Sequence, residues 1–176
     1  MGNNLKHISG DESKFAIITT IEKEYSGVWM VGELHYIINN NFLGKPELCS
    51  LRDAMYISES ILSCSEARNN EYLYNMDDYE VFNLIKDGMY EGREDIYTYL
   101  EERVFPGNFD ININVESMID DVIFSVSKKN RESKVLYKYR DNFHVEVFDY
   151  GLVDSVVEDT HKFLSNFHER EVLLCK

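Results

Sequence analysis

Two periodicities and one break predict an α+β fold. Apolar residues alternate near the N-terminus, recur at helical spacing through the middle of the chain, and alternate again beyond Pro106-Gly107. The expected architecture is an antiparallel sheet, made of an N-terminal hairpin and a C-terminal meander, with the helices packed mainly on one face. The 176 residues are read as one domain, 1–176. A chain of this length buries roughly 70% of its unfolded surface, so it needs no staples.

Residues 1–13 read as an N-terminal arm, and Asp11 in Gly10-Asp11-Glu12-Ser13 can hold its own backbone in a turn. The hairpin occupies 14–43. Phe15, Ile17, Thr19 and Ile21 share one face of its first strand, Met30, Leu34, Tyr36 and Ile38 share one face of the second, and Tyr25-Ser26-Gly27 is the turn. Asn39-Asn40-Asn41 ends the second strand because Asn tolerates left-handed geometry, and Phe42-Leu43 adds a short third.

A helical segment is expected over 50–104. Ser50, with Asp53 three places on, caps a helix whose Leu51, Met55, Ile57, Ile61 and Leu62 form a stripe through Cys64. Asp77-Asp78 opens a second helix that turns Val81, Phe82, Leu84 and Ile85 inward and stops at Gly88. Glu94 to Val104 reads as a third. Strands are expected over 109–148: Phe109, Ile111, Ile113 and Val115 alternate with polar residues, and Val122–Val126, Val135–Tyr139 and Phe143–Phe148 follow. A C-terminal helix over 150–168 carries Leu152, Val156, Phe163 and Phe167 as its apolar stripe.

Charge narrows the function classes. The net charge is −14 and the pI near 4.7, which argues against a nucleic-acid ligand, because phosphate binding rests on Lys and Arg. A basic protein partner suits this field better. No apolar run is long enough to cross a membrane, and Met-Gly-Asn-Asn-Leu-Lys-His is not a secretory signal, so a cytoplasmic protein is expected. Cys49, Cys64 and Cys175 form neither a disulfide framework nor a metal-ligand spacing; they are expected to be reduced, with Cys64 buried.

Nothing in the chain points to catalysis. There is no Gly-x-Ser-x-Gly, phosphate-cradling loop or dinucleotide fingerprint. Adjacent carboxylates such as Asp77/Asp78, Glu94/Asp95, Glu101/Glu102 and Asp120/Asp121 point apart in either regular structure, so they cannot serve one bond as acid and base. His161 and His168 lack metal-ligand spacing, and surface or cap roles are expected for them, with His35 half-buried in its strand. No catalytic residue, metal or cofactor is expected.

Residues 66–102 concentrate the acidity, with eleven carboxylates against Arg68, Lys86 and Arg93. Six of the twelve tyrosines lie there as well: Tyr72, Tyr74, Tyr79, Tyr90, Tyr97 and Tyr99. Carboxylates steer and orient a basic partner, and tyrosines give rigid contact area with a polar tip. A solvated helix face would look the same by composition. Lys128, Lys129, Arg131, Lys134, Lys138 and Arg140 form a basic hairpin, which could meet an acidic patch or RNA but is read as protection of an exposed edge strand.

In wording and order, Gly10-Asp11-Glu12-Ser13-Lys14-Phe15-Ala16-Ile17, Trp29 with Gly32, Leu43-Gly44 and Ser50-Leu51-Arg52-Asp53-Ala54 resemble the bacterial immunity protein 42 family. Its members are small cytosolic proteins encoded beside polymorphic or contact-dependent toxins, which they neutralise. The resemblance is specific over the first third and one of pattern over 109–168. It implies a non-catalytic inhibitor, monomeric when free, that binds the C-terminal domain of a cognate toxin 1:1. The toxin implied is a basic nuclease, inhibited by occlusion of its active or substrate-binding site.

With that implication, the expected toxin contacts are Tyr74, Asp77, Asp78, Tyr79, Glu80, Tyr90, Glu94, Asp95, Tyr97, Glu101 and Glu102. Trp29 and Gly32 are given fold roles, Trp29 in the core under the helices and Gly32 at a bulge or packed against a ring. Two other classes compete: a metal-dependent hydrolase with an acidic pocket, and a self-associating adaptor with the tyrosines at its seam.

Overall fold

The computed structural model describes residues 4–22 and 27–174. The chain folds into two compact units, the first formed by residues 1–62, 113–121 and 154–176 and the second by 63–112 and 122–153. The α+β class holds, with the hairpin and the meander in two separate antiparallel sheets.

In the first unit, β1 (Leu5–Gly10), β2 (Phe15–Ile21), β3 (Val31–Ile38) and β4 (Asn41–Leu43) pair in that order, and β5 (Cys49–Ser50) pairs with β3. The supposed arm is therefore largely a strand. Its signal was hidden because β1 buries Ser9 and leaves Ile8 exposed, the reverse of a half-buried strand. Phe15, Ile17, Thr19, Ile21, Leu34, Tyr36 and Ile38 are buried as expected. Asn39 and Asn40 have φ of 48° and 62°, giving the two-residue left-handed turn that joins β3 to β4. Asp11 Oδ1 accepts bonds from the Ser13 N–H and hydroxyl at 2.9 and 2.7 Å, which holds its carboxyl below the usual range. Of the expected Tyr25-Ser26-Gly27 turn, residues 25 and 26 lie outside the described residues, as does Cys175.

Helix α1 (Leu51–Ser63) starts where the Ser50 cap places it, with Asp53 N–H donating to Ser50 Oγ at 3.4 Å. Gly32 is buried opposite Ile21 and against Leu51: a Cβ there would stand 2.1 Å from the Thr20 carbonyl oxygen and 2.7 Å from Leu51 Cδ1. Close approach of backbone and helix, not an aromatic ring, requires glycine at this position. The last helix, here α4, was expected over 150–168 and runs longer, from Leu152 to Leu174. Within the first unit it lies on the sheet, with Phe163 stacked on His7 at 4.2 Å between centroids. His161 Nδ1 lies 3.0 Å from the Met55 carbonyl oxygen and 3.2 Å from Ser58 Oγ, so this histidine ties α4 to α1. His35 is 4% exposed, more buried than expected.

In the second unit, β6 (Ile123–Lys128), β7 (Glu132–Tyr139) and β8 (Asn142–Asp149) form a meander. A short α2 (Glu71–Asn75) and α3 (Asp78–Tyr90) pack on one face of it, where Phe82 meets Phe124 and Phe143 at 5.4 and 5.2 Å. Asn70 caps α2 by accepting the Leu73 N–H, and Asp77 caps α3 by accepting the Tyr79 and Glu80 N–H groups.

Three expectations change between residues 88 and 115. Gly88 does not stop α3, which continues to Tyr90; a Cβ at Gly88 would lie 3.0 Å from Pro106 Cγ and 3.1 Å from Ile96 Cγ2, so the glycine is there for packing. Glu94 to Val104 holds only a single 3-10 turn, Asp95–Thr98, because Ile96 is the sole fully buried residue of that stretch and gives no helical stripe to bury. Phe109, Ile111, Ile113 and Val115 are buried as alternation predicts, yet they form no strand. Asp110 makes one isolated bridge to Phe124, and the chain passes from one unit to the other at 112–113. Phe109 closes the 3-10 turn Pro106–Phe109, and Asn112 is buried between Ile111 and Ile113, so the stretch lacks the alternating exposure of a half-buried strand.

Cys64 is half-buried rather than buried, with Asn108 Nδ2 3.2 Å from its sulfur.

Candidate functional site

The acidic and tyrosine-rich segment lies wholly in the second unit. Helix α3 buries Val81, Phe82, Leu84 and Ile85, so its opposite side shows Tyr79, Glu80, Asn83, Lys86 and Tyr90. Tyr79 and Tyr90 are 55% and 62% exposed, three turns apart on that side. Beyond the helix, Glu94, Tyr97, Glu101 and Glu102 are also exposed. The fold thus brings seven of the eleven expected contact residues to the surface, with Tyr79 also packing edge-on against Phe143 at 5.4 Å between centroids.

The remaining four are occupied inside the unit. Tyr74 is 7% exposed, and burial, with Glu132 beside it, pushes its hydroxyl pKa up. Asp77 is exposed but serves as the α3 cap. Asp78 receives Lys134 Nζ at 2.6 Å. Asp95 accepts both Arg93 Nε and Nη2, at 2.7 and 2.9 Å, a forked pair that holds its carboxyl below the usual range.

The basic hairpin explains where much of the acidity goes. Lys128 pairs with Glu71 at 2.8 Å, Lys129 with Glu66 at 3.1 Å and Lys134 with Asp78. Lys138 Nζ stands 5.8 Å from the Phe82 ring centroid. Edge protection is not the role of Lys134 or Lys138, since β7 is the central strand of its sheet. Both reach toward α3, Lys134 to pair with Asp78 and Lys138 to stand over the Phe82 ring.

A cleft of about 900 Å³ opens in the same unit. The turn and α2 residues Glu66, Asn69, Asn70, Glu71 and Tyr72 form one wall, Thr98 to Glu101 with Val104 another, and Lys128, Lys129 and Arg131 the third. Asn70 Nδ2 donates to the Tyr99 carbonyl at 2.7 Å and pins the second wall to the first. A smaller recess of about 540 Å³ adjoins it, and Glu71, Tyr72 and Tyr99 line both. Tyr72 is 78% exposed. Reading the sequence missed this cleft, because its three walls come from segments some thirty residues apart. The Asn69-Asn70 pair ahead of Glu71-Tyr72 was its one local signal, as a helix start.

The first unit holds a different feature. Trp29 is not in the core but 58% exposed, and the Arg52 guanidinium lies over its ring at 4.0 Å. The residue sits at the end of a turn next to Met30, whose φ of 50° turns the chain so that Met30 is buried and Trp29 is not. Among the described residues no three His, Cys, Asp or Glu side chains converge as a metal-ligand set, and no helix is long and apolar enough to cross a membrane.

Comparison with known proteins gives two matches. The family model described as immunity protein 42 matches residues 8–163. Among solved structures, the crystal structure of CdiI from Burkholderia dolosa AUO158 superposes with a TM-score of 0.68 at 15% sequence identity, covering 89% of this chain and 99% of the other. That likeness is one of fold. A search of the curated proteins gives no match.

Proposed function

Because this chain belongs to the immunity protein 42 family, we propose that it binds the toxin domain encoded beside it and neutralises it without chemistry. The partner we infer is a basic nuclease domain, bound 1:1 in the cytoplasm and blocked at its active or substrate-binding site. The observation that supports this reading is the surface on α3 and the following loop. Tyr79, Glu80, Tyr90, Glu94, Tyr97, Glu101 and Glu102 are exposed there together, while lysines of the hairpin have already neutralised Glu66, Glu71 and Asp78. What remains is an acidic field studded with tyrosines, suited to steering a cationic partner and then excluding water from the contact.

The test is binding and protection with the purified toxin domain from the adjacent reading frame. Glu80, Glu94 and Glu102 changed together to Gln should slow association by about tenfold at low salt and flatten its salt dependence, since steering acts mainly on the on-rate. Cells making the wild-type chain should survive the toxin. Unchanged association by the triple variant would move the contact elsewhere, and equal killing with and without the chain would end the reading.

A further inference from the structure

We infer that the cleft walled by Tyr72 and Tyr99 is a socket for a projecting, arginine-bearing loop of the toxin. This inference deepens the function proposed above and rests on it.

The cleft is about 900 Å³, within the range of clefts that bury most of a drug-sized ligand, which is room for the tip of a loop and its leading side chain. Its charges decide what kind of ligand fits. Two of its three cations are already engaged, Lys128 by Glu71 at 2.8 Å and Lys129 by Glu66 at 3.1 Å. Glu71 is held below its usual range by Lys128, and the Lys129 ammonium is raised by Glu66. Arg131 and Glu101 complete the lining as one further cation and one further anion, Arg131 acting on Glu71 and Glu101 on Lys129 through space without a direct ion pair to either. A phosphate chain finds no net positive field here, because counterion release needs several uncommitted cations. A polypeptide of mixed charge matches both walls.

The tyrosines say where such a segment anchors. Tyr72 and Tyr99 line the large cleft and the adjoining recess alike, so they stand between the two. Tyr72 is 78% exposed and Tyr99 39%. Tyr99 is held by its own backbone, whose carbonyl accepts from buried Asn70 at 2.7 Å, so its ring is presented from a fixed point. A planar guanidinium stacks on such rings and pairs with a carboxylate in one geometry, which an ammonium cannot do. Glu101 supplies that carboxylate on the same wall as Tyr99.

Affinity for the catalytically inactivated toxin domain of the adjacent reading frame, measured by calorimetry, tests the socket. Tyr72→Ala and Tyr99→Ala should each weaken binding about 30-fold, the level at which an aromatic anchor counts as a hot spot. Thr98→Trp, an exposed position on the cleft wall, should weaken it comparably by filling the space, and its unchanged melting curve would show that the fold survives. One exposed arginine of the toxin, changed to Ala, should reproduce the loss, and combining it with Tyr99→Ala should add little further. If wild type binds tightly while both tyrosine variants and Thr98→Trp bind within twofold of it, the socket is overturned and the reading stands. Micromolar binding of ATP or a short RNA to the chain alone, lost in Tyr72→Ala, would also overturn it. Wild type that neither binds nor protects would instead sink the functional reading.

Discussion

The Lys134 ammonium stands 2.6 Å from Asp78 Oδ1 and 2.8 Å from the Tyr74 carbonyl oxygen, with its charge 4.6 Å from the Tyr74 ring centroid. One side chain of the sheet thus closes the end of α2, pairs the first turn of α3 and covers the buried tyrosine. Only 16% of the lysine side chain is exposed. Lys134→Met keeps the apolar stem but leaves both acceptors without their donor. It should lower stability by about 1–3 kcal/mol, read as a shift in the urea midpoint with unchanged slope. A midpoint equal to wild type would show that solvent replaces the ammonium at no cost.

Trp29 is the only tryptophan, and its exposure makes a direct spectroscopic prediction. Native emission should resemble that of free indole and be quenched by acrylamide nearly as well as in the unfolded chain. Trp29→Ala should cost less than about 1 kcal/mol, since it removes an exposed ring and one cation–π contact with Arg52. Phe82→Ala, in the core of the second unit, should cost about 3–5 kcal/mol. A blue-shifted, protected emission would return Trp29 to the interior.

Burial raises the Asp110 carboxyl to about 6, against a weaker opposing bond from the Asn112 N–H. The folded state therefore holds this proton more tightly than the unfolded chain does. Between pH 4 and 6 the folded state carries more protons, so this group's contribution to stability falls as pH rises through that window and stays lost above it. Asp110→Asn keeps an oxygen for the Asn112 N–H and removes the titration. At pH 7.5 the variant should be more stable than wild type, and the difference should shrink toward pH 4. Parallel pH profiles for the two proteins would refute the assignment.

At Gly32, the Thr20 carbonyl and the Leu51 methyl both occupy the space of a Cβ. Backbone cannot yield as a side-chain tip can, so Gly32→Ala should lower stability by roughly 1–3 kcal/mol, in the manner of other overpacking substitutions. The urea midpoint reads the loss. An alanine variant as stable as wild type would mean that β2 and β3 can separate locally without penalty.

Local rules read correctly wherever the cause was local. The Ser50 and Asp77 caps start α1 and α3 because a side-chain oxygen reaches an N–H two or three residues on. Asn39-Asn40 turns the chain because both residues accept positive φ. Strands β2, β3, β6, β7 and β8 form where apolar, β-branched and aromatic residues concentrate, although β2 and β6 are buried on both faces rather than alternately. The same logic failed at β1, where Ser9 is buried and Ile8 exposed, and at 109–115, where Asn112 is buried between Ile111 and Ile113 and one isolated bridge stands in place of a ladder.

The candidate surface was legible in composition, not in its accounting. Counting carboxylates over 66–102 found the acidic, tyrosine-rich segment. It did not show that Asp78 and Asp95 are engaged, that Tyr74 is covered, or that Tyr72 and Tyr99 line one cleft with Lys128. Those facts depend on pairings such as Lys134 with Asp78, 56 residues apart, and no spacing rule reaches so far.

Residue order alone therefore settled the class of fold, the starts of α1 and α3, the Asn39-Asn40 turn and the sign of the charge, since each arises from interactions within a few residues or from a sum over the whole chain. Tertiary packing decided which carboxylates stay available, which tyrosines face water, that Trp29 lies outside the core, and that two sheets form instead of one. The physical reason is that burial and ion pairing are set by what arrives from distant segments, and each neighbour that arrives changes what a side chain can still do.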